Sequence, residues 1–317
     1  MPRPPRADPK PPTSPPEGDS APGADAPAGL PMLPIAHPES LGAGNVPPAW
    51  PREEELPAPR EVPHGVVVFD LDGTLLDDME AISEVAADVL HRAFRTPPEQ
   101  GRLQYLATTG MPFEAQLRQL YPDLPEGDRT AAARIFHERK AREAYAAARL
   151  FPEIPGILKR LDRDGWTLVV STGAEREVAD LLLEREGIRI WFEAILGSAQ
   201  GTKQEHLTEY RRRYSDPRLL ALVGDSRFDL ESAQLRGVPL FARTTRLPGW
   251  TVAVPDFLNW GAAWAADSLH GLPEALAAWA SSAAAPRPPR RRRGDGAGGG
   301  GPPAPRRTGP RARSATR

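Results

Sequence analysis

Residues 66–76, Val-Val-Val-Phe-Asp-Leu-Asp-Gly-Thr-Leu-Leu, constrain the fold more than any other stretch of the chain. Four consecutive apolar residues, three of them β-branched, run directly into two carboxylates one residue apart. A short run that is apolar at every position predicts a central strand of a parallel sheet, covered on both faces. Ligands of such sheets bind at the carboxyl ends of the strands, where Asp70 and Asp72 fall. Gly73 lets the chain leave the strand sharply. An acidic turn after an ordinary strand has the same look, so the pair needs partners elsewhere in the sequence.

The remainder of the chain shows the alternation that such a strand requires. Residues 78–95 predict an amphipathic helix with Ile82, Val85, Ala86, Val89, Leu90 and Phe94 on one face. Residues 112–120 predict a second helix, with Pro near its first turn, and residues 126–149 a long Ala-rich third. No strand signal interrupts them, so 78–150 reads as a helical insertion after the first strand. Beyond it, strands are predicted over 167–171, 194–196, 219–223 and 239–242. Helices are predicted over 154–161, 174–186, 204–213, 228–236 and 273–280, two of them closed by Gly187 and Gly237. Four or five strands joined by helical crossovers make an α/β fold: a doubly wound, Rossmann-like parallel sheet with right-handed connections.

Three more strand ends carry residues suited to chemistry. Ser171-Thr172-Gly173 offers hydroxyls and amides at a helix start, which suit a phosphate; Ser and Thr are equally at home there as N-caps. Gly201-Thr202-Lys203 follows the next strand, and Lys203 brings a point charge to a phosphate or carboxylate, though a solvated surface lysine reads the same. Gly224-Asp225 ends a further strand, and Asp229 follows in the first turn of a helix. Two acidic clusters at strand ends repel unless a cation lies among them, and hard oxygen ligands suit Mg²⁺. Capping explains Asp225 or Asp229 singly, but not both acidic constellations in one sheet.

In this order and spacing the four elements resemble the motif set of the haloacid dehalogenase (HAD) superfamily in its phosphatase form, over residues 64–245 and more loosely to 280. The insertion resembles the helical cap of phosphoglycolate-phosphatase-like members, and Thr108-Thr109-Gly110-Met111-Pro112 resembles their substrate-facing loop. The resemblance implies that Asp70 is the nucleophile and Asp72 the general acid/base. It implies that Ser171, with Thr172 and Gly173, and Lys203 hold the phosphoryl oxygens. Asp225 would bind Mg²⁺ with Asp70 and the backbone carbonyl of Asp72, and Asp229 would support the metal or orient Lys203. The implied reaction is Mg²⁺-dependent hydrolysis of a small phosphorylated metabolite through an aspartyl-phosphate. An acid at Asp72 separates the chain from dehalogenases, whose halide leaves without a proton. Sugar phosphomutases and phosphonate hydrolases with similar caps are the rival enzymes. The latter would use a cap lysine as a Schiff base, and Lys140, the one lysine in the insertion, is expected mid-way along its third helix. A non-catalytic phosphate-binding scaffold with interaction tails would lose charged site residues, and all are present here.

Composition delimits the domain. Residues 1–63 hold 19 of the 38 prolines and are expected to be disordered, since such a segment buries too little apolar surface to offset its ordering entropy. Residues 285–317, with ten arginines against one aspartate, are expected to be a disordered tail. Between them lie a catalytic core of 64–77 and 151–284 and a helical cap of 78–150. The basic tail suits weak electrostatic binding to nucleic acid, but no interleaved aromatic offers base stacking, so no specific nucleic-acid partner is expected. Without cysteine there is no disulfide framework, thiolate metal site or cysteine nucleophile. No apolar run approaches the length of a bilayer span, and no apolar core follows the basic N-terminus; the expectation is a cytoplasmic protein with no membrane partner.

Overall fold

The computed structural model describes residues 65–214 and 219–284; the expected disordered segments 1–63 and 285–317 lie outside the described residues. In chain order come β1 (Gly65–Phe69), β2 (Leu76–Asp77), α1 (Met79–Phe94), α2 (Pro98–Ala107), α3 (Phe113–Leu120), α4 (Glu126–Arg139), a π-helical turn (Lys140–Ala144), α5 (Tyr145–Ala147) and β3 (Arg149–Leu150). Then follow α6 (Ile154–Arg163), β4 (Trp166–Ser171), α7 (Arg176–Arg185), β5 (Ala194–Leu196), α8 (Lys203–Arg213), β6 (Leu220–Gly224), α9 (Arg227–Arg236) and β7 (Leu240–Arg243). The chain closes with β8 (Thr245–Leu247), β9 (Trp250–Val252), α10 (Val254–Trp260), β10 (Trp264–Ala266) and α11 (Leu272–Ala284). Six strands form the main sheet in the order β10-β7-β6-β1-β4-β5, and every neighbouring pair is parallel.

β1 lies in the middle because its residues demand cover on both sides. Side chains alternate across a strand, so Val67 and Phe69 join the cluster containing Ile82 of α1, Leu158 of α6 and Leu276 of α11. Val66 and Val68 join the opposite cluster, with Leu207 of α8, Leu230 of α9 and Phe257 of α10. Each such burial contributes about 1.5–3 kcal/mol. Val68 pairs with Val169 on one side and Leu222 on the other. That register brings Asp70, the end of β4 and the end of β6 to one edge of the sheet.

Residues 79–147 contribute no strand to the main sheet and are mostly helical. The insertion holds a helix, α2, that its periodicity does not predict. The paired prolines at 97–98 look like a break, yet Pro98 occupies a first-turn position where a missing N–H costs nothing. Gly101 packs α2 against Leu90 and Ala87 of α1. α4 ends at Arg139 instead of running to 149, and at the stem β3 pairs antiparallel with β2, where uninterrupted helix is expected. The sheet gains β10, an Ala-rich run without β-branched residues, which becomes a strand through pairing with β7. Among the described residues no helix is long and apolar enough to cross a membrane.

Candidate active site

The Asp70 amide donates to Val223 O of β6 at 2.9 Å, which locks the first carboxylate between the two central strands. Lys203 opens α8 and reaches across: its Nζ donates to Asp70 Oδ1 at 2.7 Å and also to Asp229 Oδ1. Asp229 is held by the cap of α9. Its Oδ2 accepts from Ser226 N at 3.0 Å and Ser226 Oγ at 2.5 Å, and its own amide donates to Ser226 Oγ at 3.1 Å. One oxygen therefore serves the capping box while the other holds the lysine. Gly224 makes room for this, since a Cβ there would lie 2.5 Å from Asp229 Cγ.

Asp225 stands beside this chain of contacts. Thr74 Oγ1 donates to its Oδ1 at 3.5 Å and Thr245 Oγ1 to its Oδ2 at 3.1 Å. Gly73, at φ +75°, backs directly onto it: a Cβ would sit 2.3 Å from Asp225 Oδ2. Oxygens of Asp70, Asp225 and Asp229 lie within 4.8 Å of one another. Burial, then Asp70 and Asp229, push Asp225 well above the usual carboxylate range. Burial likewise lifts Asp70 to about 7 against the pull of Lys203. Burial also opposes the charged form of Lys203, but Asp229 and Asp70 outweigh it and hold the ammonium above its ordinary value. Negative charge thus exceeds what one lysine balances. An all-oxygen donor set of this kind fits a hard divalent cation.

Asp72 faces a cavity of about 590 Å³ that Asp70, Asp225 and Gly173 line from the sheet and Tyr105, Gly110, Phe113, Lys140 and Tyr145 line from the insertion. Asp72 Oδ2 accepts from Lys140 Nζ at 2.5 Å and Tyr145 Oη at 3.1 Å. Asp72 Oδ1 and Asp78 Oδ2 are both buried, and neither accepts from a donor among the described residues. Burial first, and then Asp72, hold the Asp78 carboxyl well above its ordinary range. Its Oδ1 accepts from Gly73 N at 3.1 Å.

Ser171, expected on the phosphoryl oxygens, is fully buried and shares a 2.8 Å hydrogen bond with His206 Nδ1 of α8. As the last residue of β4 its side chain falls on the α8 face of the sheet. Thr172 Oγ1 accepts from Ala174 N at 3.1 Å, so at this strand end Gly173 and Ala174 line the cavity. Gly110 does line the cavity, but the space its missing side chain frees is filled by the core. At φ +90°, a Cβ would lie 2.4 Å from Ser226 Oγ and 2.8 Å from Phe228 Cβ.

Sequence reasoning passed over Tyr145, Asp78 and Thr245, and weighed Lys140 only as a Schiff-base lysine. Lys140, expected mid-way along a helix, starts the π turn that continues α4 and overhangs Asp72. Its one sequence signal is the five-residue spacing to Tyr145, which only a π turn converts into a shared face.

The family model for haloacid dehalogenase-like hydrolases matches residues 67–242. The "probable phosphatase IndB" of Dickeya dadantii is 30% identical over 202 residues, 61% of this chain and 85% of that protein. A phosphoglycolate phosphatase of Vibrio vulnificus is 27% identical over 191 residues, 56% of this chain and 83% of the other. The tyrosine-protein kinase PtkA of Mycobacterium tuberculosis is 28% identical over 207 residues, 64% of this chain and 67% of the other. The crystal structure of a "predicted phosphatase" from Clostridium acetobutylicum superposes with a TM-score of 0.57 at 21% identity, covering 68% of this chain and 99% of that one.

Proposed function

Because the chain belongs to the haloacid dehalogenase-like hydrolases, we propose that it is a Mg²⁺-dependent phosphatase of small phosphorylated metabolites. The observation that carries this reading is the contact chain Asp70–Lys203–Asp229 at the sheet edge, opening beside Asp72 onto one cavity. We read residues 64–77 and 151–284 as the catalytic core and 78–150 as a cap over it.

In this reading an Asp70 oxygen attacks phosphorus and the bond from phosphorus to the ester oxygen breaks. The electron pair leaves on that oxygen, Asp72 gives it a proton, and an aspartyl-phosphate remains. Asp72 then takes a proton from water, whose oxygen attacks the phosphorus and returns Asp70 as carboxylate. Lys203 spreads positive charge over Asp70 and the transferring group, and Asp229 keeps it aimed. Asp70, Asp225 and the backbone of Asp72 would hold Mg²⁺, which supplies charge neutralisation and alignment for phosphoryl transfer. The amide at Gly173, on the cavity wall, supplies a donor for phosphoryl oxygens. The cavity, several times the size of a bare phosphate, leaves the cap to read the leaving group.

Turnover of p-nitrophenyl phosphate tests the reading. Activity is expected with Mg²⁺, none with chelator, and a loss of roughly 10³-fold or more in Asp70→Asn. Full activity in that variant overturns the assignment. The position of Lys140 favours a second reading, a phosphonate hydrolase in which that lysine forms a Schiff base. Against it, Lys140 is engaged in an ion pair with the Asp72 carboxylate. Borohydride trapping of an aldehyde-bearing phosphonate on Lys140 would establish the second reading over the first.

A further inference from the structure

Two residues of the insertion touch the proposed acid/base, and the hydrolysis described above uses neither. The chain leaves α4 through the π turn Lys140–Ala144, closed by the Tyr145 amide donating to Lys140 O. On an α-helix the neighbours of a residue are three and four positions away; a π turn instead joins i to i+5, is rare, and frequently occurs at functional sites. Here it places Lys140 and Tyr145 on one face, and both donate to the same oxygen, Asp72 Oδ2, at 2.5 and 3.1 Å. The ammonium also lies 4.7 Å from the Tyr145 ring centroid, a cation–π contact that ties the two donors together. Only 12% of the Lys140 side chain is exposed. The core fixes this stretch from beneath: Arg185 of α7 donates to Tyr145 O and Ala148 O, each at 2.6 Å. An ammonium and a phenol from the insertion therefore grip one carboxylate of the core.

We propose that Lys140 and Tyr145 are positioning residues that hold Asp72 toward the leaving oxygen, so that leaving-group protonation requires the inserted helices to be seated on the core. The inference rests on the phosphatase reading and concerns one step of it. As the bond from phosphorus to the ester oxygen breaks, its electron pair stays on that oxygen and the proton of Asp72 passes to it. A leaving group stable as an anion needs little of this help, and one that is a strong base needs all of it. Removing the grip therefore costs activity in proportion to leaving-group basicity. A ligand for the phosphoryl group, or a merely structural contact, would be missed equally by every ester.

The experiment compares p-nitrophenyl phosphate with phenyl phosphate, two esters of nearly the same shape and unequal leaving groups, in the full chain with Mg²⁺. Lys140→Met is expected to lower kcat on phenyl phosphate by about tenfold or more, within the 10²–10⁴ that proton transfer contributes. On p-nitrophenyl phosphate the loss is expected to stay under about threefold, with KM little changed on both. Lys140→Arg restores part of the phenyl phosphate rate. Tyr145→Phe, which keeps the ring, shows the same pattern in weaker form and carries the test if Lys140→Met folds poorly. In an Asp72→Asn background Lys140→Met has no further leaving-group effect, because the group it acts through is gone. Equal losses on both esters, or the same leaving-group effect without Asp72, overturn the inference while leaving the phosphatase reading intact. A parent chain inactive on both esters overturns that reading and this inference with it.

Discussion

Ser171 is a strand-end hydroxyl that reads as a phosphate ligand, and here it shares a hydrogen bond with His206. Burial, and then Lys203, push His206 down to about 3, so the ring is neutral and the pair is a neutral hydrogen bond. Ser171→Ala is therefore expected to cost about 1 kcal/mol of stability and to leave KM for aryl phosphates unchanged. Denaturant unfolding and steady-state kinetics check it, and a KM raised tenfold would return Ser171 to the phosphate. Asp229 shows the converse. Read as a helix cap or as a site residue, it is both, because a carboxylate has two oxygens and Ser226 needs only one.

At the scale of elements, the approach to the site depends on short segments that pattern reading passes over. The β8–β9 hairpin brings Thr245 to Asp225, and the carbonyl of Pro248 in its turn accepts from Arg102 of α2 at 2.5 Å. The start of α6 is pinned in a similar way. Glu153 Oε1 accepts from Arg243 at 2.6 Å, Ser268 Oγ at 2.9 Å and Leu269 N at 3.2 Å, and Arg243 stacks on the Phe151 ring. Burial opposes the charged form of Glu153, but these donors outweigh it and bring the carboxyl from 4.5 to about 2. A carboxyl depressed on folding stabilises fully above its unfolded value and loses that contribution as pH falls through its folded value. Acid is thus expected to remove about 3 kcal/mol from this joint between pH ~4.5 and ~2. Glu153→Gln should flatten that limb of the stability curve, measured by melting temperature against pH. An unchanged limb would place the acid sensitivity elsewhere.

At the scale of the whole molecule, the apolar clusters on the two faces of the sheet span residues 66–280. The Pro-rich and Arg-rich ends contain little that such clusters use. Removal of 1–63 and 285–317 is accordingly expected to leave melting temperature and aryl phosphatase turnover nearly unchanged. A cooperative loss of folding on truncation would show that these segments take part in the domain. Tyrosine-protein kinase PtkA and the phosphatase relatives are similar to this chain at nearly the same identity. Within this family it is therefore the site of each chain that has to carry the argument about its reaction.

The sequence alone determined the parallel sheet, the strand ends that bear Asp70, Asp72, Asp225 and Lys203, and the placement of a helical insertion between the first two major strands. These follow from local physics: an unbroken β-branched run needs cover on two faces, and glycine beside a carboxylate marks a close approach. Legibility ended where a position depends on distant partners. The hairpin strands and β10 are too short to carry a period of their own, and pairing makes them strands. That Ser171 meets His206 was decided by the packing of α8 against the sheet, since successive side chains of a strand point to opposite faces. That Lys140, Tyr145 and Asp78 converge on Asp72 was decided by the seating of the insertion on the core and by one π turn. No spacing in the sequence encodes a meeting between residues 68 positions apart; it exists only once the packing of both parts has brought them within reach.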